Sequence, residues 1–133
     1  MKKLALAICC AASLLVVAGC STVRATNSFN EHKQAISSNE QPVAHINGII
    51  NGFYILWYVP LWCGDDKDPG TPVFFTNNVK VGPTVNMVTK KSAELGATKT
   101  LDLQSNYKVS PDIPVINWLF AVKECQVTGN AVK

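Results

Sequence analysis

The sequence predicts an α+β domain in which one amphipathic helix packs on a small antiparallel sheet, with a flexible tether before the domain. A run from Ile49 to Cys63 is almost wholly apolar, β-branched and aromatic, as in a buried strand. Apolar residues recur at helical spacing after Pro83, and two later segments alternate apolar with polar residues, as half-buried strands do. Composition divides the chain into residues 1–19, 20–42 and 43–133, and only the last part has these strand and helix patterns.

The first part has the layout of a secretory signal peptide. Lys2 and Lys3 give a positive start, and the run from Leu4 to Ala18 is almost wholly apolar. This run is shorter than the roughly 20 apolar residues that a membrane-spanning helix needs. Small residues end it, so we interpret residues 1–19 as a cleaved signal peptide.

The segment Val17-Ala18-Gly19-Cys20 resembles the lipobox of bacterial lipoproteins. The resemblance implies cleavage between Gly19 and Cys20, a diacylglyceryl group on the Cys20 thiol and an acyl group such as palmitate on the new amino terminus. Each buried CH2 contributes about 0.8 kcal/mol, so two or three chains hold a protein on a membrane without help from its fold. The alternative is an ordinary signal peptide that is cleaved near a cysteine.

The residue after the cysteine indicates the membrane to which a lipoprotein is sorted. In lipoproteins of Gram-negative bacteria an aspartate at this position tends to retain the protein at the inner membrane, and Ser21 resembles the class that is sorted to the outer membrane. The resemblance therefore implies a domain on the periplasmic face of the outer membrane.

The net charge of the mature chain limits the classes of partner that it can bind. The whole chain has 12 Lys and Arg residues and 9 Asp and Glu residues, and Lys2 and Lys3 leave with the signal peptide, so the mature charge is close to neutral. No segment forms the basic stripe that a nucleic-acid-binding protein needs, which excludes that class of partner. The length fits one small domain.

Residues 20–42 are predicted to form the flexible tether. They are mostly polar, and such a segment buries too little apolar area to offset the entropy of ordering it. We therefore expect a spacer that lifts the domain off the lipid headgroups.

Three strands are predicted before the helix. Ile49–Cys63 is apolar on both alternating faces, so we expect cover on both sides, or a partner or the bilayer on one. Gly64–Gly70 is a loop of turn-forming residues. Val73–Phe75 and Val79–Val81 are predicted as two short strands or a hairpin.

The helix is predicted to follow Pro83-Thr84 and to run to about Leu95, with Thr84 as the N-cap and Gly96 as the C′ residue. Its apolar residues share one stripe, and its charged residues lie off that stripe, so the helix is expected to pack on a sheet.

Two strands are predicted after the helix, over residues 101–107 and 115–128, and Cys125 is expected to point inward from the second. The order of elements, with Glu94-Leu95-Gly96-Ala97-Thr98-Lys99 joining helix to strand, resembles small bacterial lipoproteins of unknown function, including the TRL-like group. The resemblance covers roughly residues 52–133 and implies the fold, and it assigns no functional residues.

Cys63 and Cys125 are predicted to form a disulfide. Cys9 and Cys10 lie in the signal peptide and Cys20 carries lipid, which leaves these two thiols in an oxidising compartment. A bond closing so long a loop stabilises a domain by several kcal/mol, and it requires the first and last strands to be neighbours. The alternative is two buried free cysteines that act as small apolar side chains.

Four aromatic residues are the candidate interaction patch, namely Trp57, Tyr58, Trp62 and Trp118. Aromatic residues on strands are most often core residues, and the sharper hypothesis is a surface patch for a protein, peptide or envelope ligand.

Other residues give little indication of chemistry, and we expect neither a metal nor a cofactor. The acidic loop from Asp65 to Gly70 lacks the glutamate that completes a calcium loop. His32 and His45 have no second ligand at metal-binding spacing. The serines lack the sequence context of a catalytic nucleophile.

The sequence therefore predicts a membrane-anchored, non-catalytic envelope lipoprotein that binds or supports another envelope component. One alternative is a small-ligand binder with a pocket between helix and sheet, and another is an enzyme of unknown type. An exposed aromatic patch favours the first, an enclosed apolar cavity the second, and convergent titratable groups in a cleft the third.

Overall fold

A computed structural model describes residues 20–27, 40–110 and 119–133. Within these ranges an antiparallel sheet of six strands has one helix on one of its faces. The elements in chain order are β1 (Ser21–Thr26), β2 (Pro42–Ile55), β3 (Val59–Gly64), β4 (Pro72–Phe74), α1 (Val81–Glu94), β5 (Lys99–Ser110) and β6 (Phe120–Val132). The α+β class is confirmed in its broad form, with more sheet than the sequence predicted.

The central strand is β2, and the strand order is β4-β3-β2-β6-β5. One edge of β2 pairs with β6 along nearly its whole length. The other edge pairs first with β1, where Ser21 lies opposite Ile50, and then with β3, where Cys63 lies opposite Gly52. Strands β1 and β3 therefore lie end to end along the same edge of β2.

The core lies between α1 and the sheet because β2 and β6 alternate. Even-numbered residues of β2, among them Ile46 and Ile50, face the helix and are fully buried. Met87 and Val88 of α1 pack on them, and Cys125 of β6 faces the same layer, as predicted. This arrangement leaves the odd-numbered residues of β2 on the opposite face.

The predicted strand Ile49–Cys63 is in fact a hairpin with a turn at residues 56–58. Leu56 and Trp57 have positive φ angles of 50 and 69 degrees, and Tyr58 N donates to Ile55 O at 3.3 Å. This is the backbone of a type I′ turn, which usually has Asn-Gly at its centre. Because the turn is made of apolar residues, the sequence shows one continuous apolar run.

The helix is confirmed, and its beginning is earlier than predicted. Lys80 is the N-cap, whereas Thr84 is a buried residue of the first turn whose Oγ1 donates to Lys80 O at 2.8 Å. The C-terminus is as predicted. Gly96 has φ of 78 degrees, and the Gly96 and Ala97 N–H groups donate to the last-turn carbonyls, which is the Schellman arrangement.

The predicted strand Val79–Val81 is wrong. Val79 is a buried residue of the loop before α1, and Val81 is the first helical residue. The neighbouring prediction Val73–Phe75 corresponds to β4, which ends one residue earlier. Because Val79 fills the core from a loop, its apolar side chain resembled a strand residue in the sequence.

Part of the predicted tether is a strand. β1 pairs with β2 over its six residues, Ser21 is buried, and Val23 packs against both core clusters. The other residues of β1 are mostly exposed, so their polar composition is compatible with an edge strand. Residues 28–39 of the predicted tether lie outside the described residues.

The last two strands follow their predictions with different bounds, and β6 begins at Phe120, after the described residue Leu119. β5 extends the predicted strand 101–107 to Lys99–Ser110, with its apolar side chains about two-fifths exposed. β6 continues to Val132, beyond the predicted end at residue 128. Residues 111–118 lie outside the described residues.

Candidate interaction surface

One face of the sheet carries α1, and no helix of the described chain packs on the other. We call this second face the open face. It consists of the odd-numbered residues of β2, the even-numbered residues of β6 and the residues paired with them on β1, β3, β4 and β5. Most of its side chains are half-buried or exposed. It therefore offers a broad surface to a partner.

Three stacked aromatic rings cross the open face at one end of the sheet. The Phe53 ring lies 4.8 Å from the Trp62 ring and 5.2 Å from the Phe120 ring, with interplanar angles of 21 and 22 degrees. Phe53 is only 3% exposed because its neighbours cover it from both sides. We call Trp62, Phe53 and Phe120 the aromatic row. It spans β3, β2 and β6 and forms a rigid apolar platform.

Polar side chains continue the open face toward the other end of the sheet. Gln126 Nε2 donates to Asn47 Oδ1 at 3.1 Å, and His45 Nδ1 lies 2.9 Å from Asn130 Oδ1. Asn130 Nδ2 in turn donates to Asp102 Oδ2 at 3.0 Å. These groups bond one another across β2, β6 and β5, so the described contacts place His45 in a structural polar row.

Two polar atoms of the open face lack a hydrogen-bond partner in the described structure although they are shielded from solvent. They are the indole Nε1 of Trp62 and the side-chain Oδ1 of Asn51. Leaving such a group unpaired costs about 1 to 3 kcal/mol, so each one calls for a partner. The open face therefore has one unused donor in its aromatic row and one unused acceptor on β2.

Exposed apolar side chains border this end of the sheet. The hairpin turn and the first residue of β3 present Leu56, Tyr58 and Val59, which are 52%, 82% and 48% exposed. The end of β4 presents Phe74 and Phe75, which are 61% and 75% exposed. Phe75 N donates to Leu61 O at 3.3 Å, which holds the end of β4 next to β3. We call Leu56, Tyr58, Val59, Phe74 and Phe75 the apolar rim.

The structure separates the predicted aromatic patch into different environments. Trp62 lies in the aromatic row, while Trp57 and Tyr58 lie in the hairpin turn, Trp57 half-buried and Tyr58 exposed. Trp118 lies outside the described residues. Phe53 and Phe120 were missed, because only the pairing of strands shows which aromatic residues share a face.

The predicted Cys63–Cys125 disulfide is absent, and both residues are buried free thiols. The physical reason is the strand order, since Cys63 lies opposite Gly52 on one edge of β2 and Cys125 lies opposite Ile50 on the other. Two strand spacings separate their strands by about 10 Å, beyond the Cα distance of about 7 Å that a disulfide spans.

The thiol of Cys63 has its own partners. It donates to Thr76 O at 2.9 Å and lies 3.4 Å from Asn78 N. Burial raises the pKa of Cys63, and the charges of Asp65 and Asp66 raise it further, while the Asn78 N–H lowers it. The thiol therefore stays protonated and unreactive in the folded state.

We expect the two core thiols to react with iodoacetamide only after unfolding, without a reductant. The mass would then rise by two alkyl groups from Cys63 and Cys125, whereas a disulfide would give none. Because the pKa of Cys63 is higher in the folded chain, forming the thiolate favours unfolding, so stability should fall as the pH rises through the alkaline range. Alkylation of the native protein at neutral pH would contradict this environment.

Cys20 lies directly against the sheet. Its carbonyl accepts from Asn51 N at 3.1 Å, and the next residue, Ser21, is 1% exposed with its hydroxyl donating to Asp65 O at 2.5 Å. The predicted cleavage partner Gly19 lies outside the described residues. The described part of the chain thus has no spacer between Cys20 and the fold.

The carboxylates of Asp65 and Asp68 in the acidic loop accept hydrogen bonds from neighbouring residues. Asp65 Oδ1 accepts from Lys67 N at 3.1 Å, and Asp68 Oδ2 accepts from Thr71 Oγ1 at 2.7 Å. Within the described ranges, no group of three or more His, Cys, Asp and Glu residues is placed to hold a metal ion. His32 lies outside those ranges.

The space between α1 and the sheet is filled by side chains. One cleft at its margin has a volume of about 150 Å³ and is bordered by Met87, Val23 and the charged residues Lys90 and Glu94. A second, between the end of α1 and the start of β5, has a volume of about 270 Å³. Ligand pockets usually enclose roughly 300 to 1,000 Å³. The described geometry therefore gives no support to the small-ligand alternative.

Comparison of the chain with protein-family models, curated proteins and solved structures gave no match. The resemblance to the TRL-like lipoproteins stays a prediction. No helix in the described ranges has both the length and the apolar character needed to cross a membrane.

Proposed function

We propose that this chain is a lipid-anchored, non-catalytic protein of the bacterial envelope whose open face binds another envelope protein. The lipobox residues up to Cys20 support the anchor, and Ser21 supports the periplasmic face of the outer membrane. The observation that carries the binding function is the aromatic row, with its shielded and unpaired Trp62 Nε1.

The aromatic row has the chemistry of a protein-binding surface. Its rings are held in place by stacking before any partner arrives, so little side-chain entropy is lost on binding. Tryptophan and tyrosine are enriched at the centres of interfaces, where a ring fills a pocket and its polar atom finds a partner. The indole Nε1 is shielded by the chain itself, so a carbonyl of the partner would reach it only after the side chains around it move aside.

The anchor is tested by Cys20→Ser. We expect this variant to incorporate no palmitate and to appear as an unprocessed precursor or a soluble exported protein, because the thiol that takes the lipid is gone. Fractionation of membranes with radiolabelled palmitate measures both properties. Cys10→Ser, a matched change within the signal peptide, should leave processing and attachment intact. A Cys20→Ser protein that is still cleaved and still membrane-held would contradict the anchor.

The binding face is tested by a photo-crosslinking residue at Val122, which lies on the open face directly opposite Phe53. We expect it to capture one discrete envelope protein in living cells. The same residue at Asn86, exposed on α1, is the matched control and should capture none. Equal capture at both positions, or none at Val122, would contradict the proposal.

Trp62→Phe sharpens the same test. The change keeps a ring for stacking on Phe53 and removes the unpaired N–H. If the bound partner accepts this N–H, its loss should weaken binding by about 1 kcal/mol, which is seen as a lower yield of capture at Val122, and should leave the fold intact. Circular dichroism confirms the fold, and capture at full strength would show that the indole N–H makes no bond to the partner.

A further inference from the structure

We infer that the apolar rim rests on the bilayer to which Cys20 is attached, so that the domain lies against the membrane instead of standing away from it. This inference rests on the proposed lipid anchor. It assigns the lipid surface as the occupant of Leu56, Tyr58, Val59, Phe74 and Phe75. Val59 and Phe74 form the margin of the open face, and the aromatic row with the rest of that face is left to the protein partner.

The first step is the short connection between anchor and fold. Strand β1 begins at the residue after Cys20, Ser21 is buried, and the Cys20 carbonyl accepts from Asn51 N at 3.1 Å. A lipid on Cys20 Sγ therefore starts within one side chain of the sheet. With no flexible spacer, the side of the domain that borders Cys20 has to lie at the level of the headgroups.

The second step identifies the side of the domain that borders Cys20. β1, β3 and β4 all lie on the same side of β2, away from β6 and β5. Cys20 lies beside Asn51, and the rim begins five residues further along β2 at Leu56, which at 3.3 Å per residue is about 17 Å away. Phe74 and Phe75 lie at the outer strand of the same side. A flat surface that meets Cys20 therefore passes along the rim.

The third step is chemistry. Five apolar side chains between 48% and 82% exposed are clustered at one end of the sheet, a grouping that marks an interaction surface. Neither residues 53–64 nor residues 72–79 contain a charged side chain, so the rim enters the interface without burying a charge. Tyrosine and phenylalanine with aliphatic neighbours suit the boundary between headgroups and acyl chains.

The charges near the rim indicate whether its contact with the lipid is apolar or electrostatic. The loop beside Ser21 carries Asp65, Asp66 and Asp68 with one lysine, Lys67, so it gains nothing from an anionic surface. The contact is therefore apolar and does not depend on negatively charged headgroups. Its strength should be insensitive to salt, since screening acts only on charges.

The test uses the full chain, purified in its lipidated form and reconstituted in vesicles of phosphatidylethanolamine and phosphatidylglycerol. An NBD fluorophore is attached at Tyr58→Cys and, in a second protein, at Phe75→Cys. Asn106→Cys on β5, at the opposite edge of the sheet, is the matched control. Cys63 and Cys125 are buried, and the unsubstituted chain shows whether they take up the label.

Two quenchers report where each label lies. We expect nitroxide on the lipid acyl chains to quench the labels at 58 and 75 several-fold more than the label at 106. Aqueous iodide should instead quench the label at 106 more than the labels at 58 and 75. High salt should leave both orders unchanged. The inference would be overturned if iodide reached the labels at 58 and 75 as readily as the label at 106. It would also be overturned if the labels were shielded in native membranes but not in protein-free vesicles, since a protein would then cover the rim.

Flotation of the vesicles, measured first, keeps this result separate from the anchor. A chain that does not float with the vesicles overturns the lipid anchor and the inference together. A chain that floats with an iodide-accessible rim overturns the inference and leaves the anchor in place.

Discussion

Replacing Gly48 with valine is expected to force α1 away from the sheet and to lower the free energy of unfolding by about 3 kcal/mol or more. Gly48 lies in the middle of β2 beneath the helix. A Cβ at this position would lie 2.7 Å from Val88 Cγ2 and 2.9 Å from Met87 Cε, both closer than real Cβ atoms approach other carbons. Valine adds two methyl groups to that Cβ, and Val88, which they would meet first, is fully buried in the packed core.

Urea unfolding followed by circular dichroism measures the change as a lower midpoint. The matched control is Gly82→Ala in α1, where a Cβ meets nothing within 4 Å. Alanine favours the helix there, so this variant should be as stable as the parent or more stable, by up to about 1 kcal/mol. Equal midpoints for Gly48→Val and the parent would show that α1 does not pack on β2 as the structure has it.

The features that the sequence predicted correctly are determined within a few residues. The end of α1 needs only Gly96 in the left-handed region and the last-turn carbonyls, and both are local. The inward direction of Cys125 follows from alternation along β6 alone. Such signals do not depend on where other strands lie, which is why the pattern was sufficient.

The features that it missed depend on pairing across the chain. Strand β1 exists because β2 offers it an edge, and its own composition is that of a solvated segment. The disulfide failed because β2 lies between the strands of Cys63 and Cys125, an order that no spacing in the sequence reveals. The hairpin turn at Leu56 and Trp57 lacks the Asn-Gly signal that its backbone usually has.

The candidate site was predictable only in part for the same reason. Trp62 stands out by residue type, and it is the one predicted member that the structure places in the aromatic row. Phe53 and Phe120 are far apart in sequence, and they meet because β2 and β6 are neighbours. The unpaired state of Trp62 Nε1 is a property of the packed structure and has no counterpart in the sequence.

Gly64→Ala should undock the first strand and so test the connection between the anchor and the fold. A Cβ on Gly64 would overlap Ser21 N and would lie 2.6 Å from Ser21 Cβ and 2.7 Å from the Cys20 carbonyl carbon. Two of these three atoms are backbone, so no change of rotamer relieves the overlap. Either β3 or β1 has to move, and β1 should give way because it pairs with β2 alone, whereas β3 is held between β2 and β4. We expect a loss of about 2 to 3 kcal/mol.

Hydrogen exchange should locate that loss, with residues 21–26 losing protection in Gly64→Ala while β6 keeps it. Gly70→Ala is the matched control in the adjoining loop, because its Cβ meets nothing within 4 Å and only its φ of 101 degrees is strained, at about 1 kcal/mol. Strand β1 should stay protected in that control. A freed β1 gives Cys20 the spacer that the native fold lacks, so Gly64→Ala should also expose a label at Tyr58 to iodide on vesicles. If the rim stayed shielded after β1 had lost its protection, the docking of β1 would not be what holds the domain against the bilayer.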